Sequence, residues 1–240
     1  MKSLEPIIER AYQIFKKYKF PQDFKVCDCC VSKQELRQLH ICSIKDIEAE
    51  VLSSYNHAAQ PHSTIQELKY FLPRFLELTA QFDFPTHSTE YALQRIGHYD
   101  ATLWTEEEAN LLNEFRTVFF KQSLKIYPLF RQSIGAIVMM LYNANMDINQ
   151  MLKMWEQANS IESTLHFSDL VNKEINQSSF RIKLQNAFSE RAVDDALDKW
   201  LDNPKIKKRF QNKIEKIIFS PKNLSEEYLT QLSWAYDKLI

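Results

Sequence analysis

The chain reads as all-α, an irregular bundle of about ten to twelve helices, on three observations. Apolar residues recur at helical spacing from end to end, and Ser, Thr or Asp stands in front of most of those runs as an N-cap. The alternation that marks a half-buried strand is hard to find. Finally, 240 residues hold two glycines, Gly97 and Gly135, against a base rate of about 7 per cent. A chain so poor in glycine offers little for tight hairpins.

Taken in order, Ser3 is expected to cap a first helix reaching about Tyr18, with Pro6 in the tolerated first turn and Ile7, Ala11, Ile14 and Phe15 on one face. After a cysteine-bearing loop, Ser32 and Glu35 have capping-box spacing. Ser43 is expected to cap the next helix, which runs towards His57. Thr64 and Glu67 form a second box ahead of the stripe Ile65, Leu68, Leu72, Phe75 and Leu76. Pro73 lies inside that stripe and should kink or break the helix. A short helix is expected over 89–96, with Gly97 at its end. Thr105 and Glu108 then give the clearest box of the chain, opening a long helix up to Pro128 with Leu111, Leu112, Phe115, Val118 and Phe119 inward.

In the second half, 134–143 is apolar nearly all round and so central, with Gly135 read as a close helix contact. Asp147 caps a helix carrying Ile148, Met151, Leu152 and Trp155. Further helices are expected over 161–175, 180–188, 191–201, 204–219 and 225–239, with Pro204 and Pro221 as punctuation and Ser225 as a cap. The chain is expected to form one all-α domain over 1–240, with a possible subdomain boundary near 128–133. An α-solenoid is the alternative packing, but no internal sequence repeat supports it.

Glycine scarcity also removes function classes. No GxGxxG or GxxxxGK[ST] element can be written anywhere, which argues against nucleotide folds. Thirty basic and 31 acidic residues leave a net charge of -1, so no bulk field selects nucleic acid or an anionic membrane. The start is charged every few residues and reads as a mature helix, and the longest apolar run, 134–142, is too short to span a bilayer. A soluble cytoplasmic protein is expected.

The most unusual local feature is CDCC, which sets Cys27, Cys29 and Cys30 together with Cys42 downstream. Cys27 and Cys30 have CxxC spacing for zinc, and His40 or Cys42 lies near enough in sequence to complete four ligands. Redox chemistry is a further option, since a helix begins just after Cys30 and could activate a thiol. Loop cysteines that coordinate nothing are the plainer alternative. The six histidines, at 40, 57, 62, 87, 98 and 166, contain no HExxH pair, and His57 and His62 flank Pro61 in a loop. Residues 204–222 carry seven Lys or Arg against Glu215 alone. There Ile206, Phe210, Ile214, Ile217 and Ile218 form the inward stripe and Lys207, Lys208, Arg209 and Lys216 the outside. This is first a solvated face, and second a phosphate-binding helix. The acidic run Glu106, Glu107 and Glu108 suits a helix dipole first and a basic partner second. No catalytic or cofactor-binding residue is assigned.

The ordered series CDCCVS at 27–32, ELRQL at 35–39, ELKYFLPRFLEL at 67–78 and LWTEEEANLLNEF at 103–115 resembles a bacterial helical family. That family is built on a CxCCVS start, an FLPR helix and a Trp-centred capping box. The segments MLKMWEQA at 151–158 and KWLDNP at 199–204 are similar in tone. Such proteins are helical and cytoplasmic, and they look like the bacterial proteins that accompany polymorphic toxins as immunity partners. The resemblance implies a non-catalytic immunity protein that binds and neutralises a cognate toxin domain. The alternative is a cysteine-centred metal-binding or redox protein. A membrane partner is not expected, and nucleic acid is disfavoured.

Overall fold

The computed structural model describes residues 3–22, 24–27, 29–58, 64–129, 132–178, 181–220 and 224–240. His62, Pro61 and Pro221 lie outside them. Eleven α-helices and one two-stranded hairpin are formed among the described residues, so the all-α multi-helix reading holds. None of these helices is long and apolar enough to cross a membrane. The chain divides into two compact units. It passes from the first to the second inside a helix, between Phe119 and Phe120, ahead of residues 128–133, where the sequence suggested a boundary. Residues 143–145 return to the first unit.

The first unit contains α1 (Glu5–Phe15), α2 (Lys33–Ile41), α3 (Ala49–His57), α4 (Ile65–Ala80) and most of α5 (Glu106–Ser123). Helix α1 packs on α4. Its N-cap is Leu4, which has no side-chain hydrogen bond to give; Ser3 sits one residue earlier and exchanges hydrogen bonds with Glu5 instead. Ser43 likewise opens only a 3₁₀ turn, Ile44–Asp46, and α3 starts separately behind Glu48. The helix expected over 89–96 is two 3₁₀ turns, Thr89–Tyr91 and Gln94–Ile96. By contrast Ser32 with Glu35 and Thr105 with Glu108 close both hydrogen bonds of a capping box. Pro73 does not break α4, which runs through it with Phe71, Leu72, Phe75 and Leu76 all buried. Each such side chain contributes about 1.5–3 kcal/mol of apolar burial, enough to offset the lost backbone hydrogen bond.

The second unit contains α6 (Ile134–Asn143) as far as Tyr142, α7 (Ile148–Gln157), α8 (Ile161–Asp169), α9 (Arg191–Asp202), α10 (Pro204–Ile218) and α11 (Glu226–Asp237). Residues 134 to 141 are all buried, as their uniform apolarity requires. Elsewhere in the unit Trp155, Phe167, Trp200 and Phe210 interlock, with the Phe167 and Phe210 rings stacked at 3.6 Å between centroids.

Two expectations fail in this unit. The helix expected over 161–175 ends at Asp169, passes through a π turn, Leu170–Glu174, and becomes strand β1 (Ile175–Ser178). Within 180–188, where another helix was expected, the described residues form β2 (Arg181–Leu184), antiparallel to β1 with Ile175 opposite Leu184. The reason is tertiary. Asp194 accepts the Leu184 N–H at 3.1 Å and Asp198 accepts the Ile182 N–H at 2.9 Å. Four residues of helix rise about 6 Å and two of strand about 6.8 Å, so the carboxylates of α9 match the outward amides of β2.

Candidate functional site: the cysteine loop

Between α1 and α2 the chain is pinned at both ends by apolar contacts. Phe20 and Phe24 pack on Phe71, and Phe24 also lies over Tyr55. On the far side Val31 is buried and Ser32 is locked in its capping box. What remains between the anchors is a tight turn, in which the Cys30 and Val31 N–H groups both donate to the Cys27 carbonyl, at 3.0 and 3.1 Å.

The result is a cluster of sulfur atoms. Cys27 Sγ lies 2.7 Å from Cys29 Sγ, Cys29 Sγ lies 3.7 Å from Cys30 Sγ, and the three fall within 4.8 Å of one another. Cys29 and Cys30 are exposed and Cys27 is half-buried, so the cluster faces water. Its members are not equivalent. Hydrogen bonds from the Cys29 thiol, the Cys29 N–H and the Cys30 thiol hold the Cys27 thiol below its ordinary range. The Cys29 thiol, in hydrogen-bond contact with the Cys27 and Cys30 sulfurs, is pushed up to about 11.

Neither predicted fourth ligand joins the cluster, which among the described residues consists of these three cysteines. His40 is taken up by aromatic packing, its ring 4.6 Å from Phe20 and 5.8 Å from Phe24. Cys42 sits at the far end of α2 as its C-cap. The redox expectation rested on the α2 N-terminus, where Glu35 already stands: its carboxylate accepts the Ser32 N–H at 2.7 Å. Hydrogen bonds from Ser32 and Ser54 keep that carboxyl below the usual range, so an anion already answers the helix dipole.

The other candidates take structural places. His166 is buried, with Nε2 2.8 Å from the Ile126 carbonyl. His57 accepts the His87 N–H at 3.0 Å and stacks on the His87 ring at 4.6 Å, a pairing across 30 residues with no local signal. Glu108, read as part of an acidic helix start, points inward. It meets Lys69 at 2.7 Å, Lys17 at 2.9 Å and the Tyr18 hydroxyl at 2.6 Å. Gly135 is a close contact with the end of the Leu170–Glu174 π turn: its N–H donates to Glu174 at 2.9 Å, and a Cβ there would collide with that carboxylate. In α10, Ile206, Phe210, Ile214 and Ile217 are buried as expected and Lys208, Arg209 and Lys216 are exposed. Compared with protein-family models, curated proteins and solved structures, the chain matches none.

Proposed function

We propose that the cysteine loop binds a soft metal ion through the thiolates of Cys27, Cys29 and Cys30, making the chain a cysteine-centred metal-binding protein. The observation that carries this reading is the convergence of the three sulfur atoms within 4.8 Å. Thiolates select zinc and other soft or borderline ions over calcium or magnesium. A tetrahedral ion with bonds of about 2.3 Å holds its sulfurs about 3.8 Å apart. Cys29 and Cys30, at 3.7 Å, already have that spacing, and Cys27 reaches it by moving about 1 Å away from Cys29. The loop is anchored on either side of the turn, which limits the ordering that binding must impose.

The test is an anaerobic titration of the reduced protein with cobalt(II), a coloured stand-in for zinc. One ion per chain with sulfur-to-cobalt charge-transfer absorption is the expected result, weakened about tenfold or more by Cys29→Ser. Equal cobalt binding by the native chain and by the variant with all three cysteines changed to serine would overturn it.

A second proposal follows from the resemblance and from two exposed aromatics, Phe219 at 82% and Trp234 at 61%. Aromatic side chains are enriched at protein interfaces. In this reading the chain is an immunity protein that binds a toxin domain. It predicts co-purification with the product of the adjacent gene and protection of cells expressing that product; cells that die regardless would end the idea.

A further inference from the structure

Along one side of α10 runs a groove of about 850 Å³, with the end of α7 and the residues after it as its other wall. Lys205, Lys208, Arg209, Lys213 and Lys216 line it, and Glu156 is the one carboxylate among the described lining residues. The spacing of three and four places all five cations on one helical stripe. Eleven residues of rise make that stripe about 16 Å long. Arg209 is paired with Glu156. The remaining four lysines form no salt bridge among the described residues.

A row of lysines on a helix is ordinarily a solvated face, each ammonium turned to water. Lys213 departs from that. Its ammonium is half-buried and donates to the Glu156 carbonyl at 2.8 Å and the Ala158 carbonyl at 2.6 Å, which caps the end of α7. Two of its three N–H donors are spent and one remains. Burial first, and the neighbouring Arg209 next, draw its pKa down to about 8. The wall of the groove therefore holds a fixed cation in a place that resists positive charge, a cost that a bound anion would remove.

We propose that this groove binds a linear polyphosphate of the triphosphate class, held through its phosphate oxygens. The volume lies within the range of about 300–1,000 Å³ typical of small-molecule sites. The four unpaired lysines answer the roughly four negative charges of a triphosphate near neutral pH. Asn212 adds an amide donor for phosphate oxygen. No described lining residue is aromatic, so recognition rests on the phosphate chain and not on a stacked base.

Calorimetric titration of the full chain with sodium tripolyphosphate at about 0.15 M salt, where the screening length is about 8 Å, tests this. Binding at one site is expected, and Lys208→Glu with Lys216→Glu should weaken it about tenfold or more, since both side chains are exposed and neither holds the fold. The charge-matched pair Lys199→Glu with Lys207→Glu lies off the groove and should leave affinity within about twofold. No binding by the native chain, or an equal loss in both pairs, would overturn the proposal. A single-stranded oligonucleotide of matched charge serves as the competing arm. Tighter binding of the oligonucleotide than of tripolyphosphate would also overturn it, in favour of a nucleic-acid backbone.

Discussion

Glu108 has no exposed side-chain surface, yet it stays charged because Lys69, Lys17, the Tyr18 hydroxyl and the Thr105 N–H all point at it. Burial alone would raise its pKa; the hydrogen bonds from Lys69, Tyr18 and Lys17 overcome that and bring it to about 2. Glu108→Gln would leave Lys69, itself buried, without its counter-charge, and breaking a buried pair costs about 3–5 kcal/mol. Urea unfolding should show a loss of that order, with part of it recovered when Lys69→Met is added. A neutral result would mean that the pair is solvated. Gly97 carries a different constraint. Its φ of -76° suits any residue, so conformational freedom is not why glycine stands there. A Cβ at Gly97 would overlap the carbonyl oxygen of Asn143, a backbone atom that cannot swing aside. Gly97→Ala should therefore cost about 1–3 kcal/mol as overpacking, against a small gain if the site were open. The same unfolding measurement decides between them.

Helix ends and the hairpin show what an element can declare locally and what it cannot. Ser32 and Thr105 announced their helices because both partners of a capping box lie within four residues. Phe82 announced nothing. It has φ of 60° and ends α4 in a Schellman turn, with the Asp83 N–H on the Leu78 carbonyl, a place usually taken by glycine. Packing of its ring against Phe119 accounts for the choice, and Phe119 lies 37 positions away. The hairpin was hidden for the same reason: its outward amides are answered by Asp194 and Asp198, whose i, i+4 spacing reads as an ordinary exposed helix face. In the cysteine loop, residue types and spacing gave the cluster, while the aromatic contacts that divert His40 involve Phe20 and Phe24, which carry no ligand signature. If α9 does hold the strand, Asp194→Ala with Asp198→Ala should speed amide exchange at Ile182 and Leu184 markedly. Exchange within α9 itself should change much less, whereas uniform loss across the unit would point to general destabilisation.

At the scale of the whole molecule, two of the described histidines are held below their ordinary pKa, His57 in the first compact unit and His166 in the second. Burial is the main cause at both; at His57 the neighbouring His87 adds to it, and at His166 hydrogen bonding to the Ile126 carbonyl acts against it. In the unfolded chain both titrate near the ordinary value of about 6.5. Below that pH the unfolded state binds more protons than the folded one, so stability falls as pH drops through about 6.5 and levels only at the lower folded values. Glu174 acts in the opposite sense, because burial raises its pKa and protonation relieves the cost of keeping it charged. A simple acid titration of the native chain mixes these effects. The difference between the native chain and His166→Gln does not, since Glu174 is common to both. An amide at 166 can donate to the same carbonyl but does not protonate. Between pH 7 and 5 the native chain should lose stability relative to His166→Gln by up to about 1.4 kcal/mol per pH unit, the limit for one proton. Parallel stability curves over that range would show that His166 protonates freely in the folded protein, and that its place in the second unit is open to water.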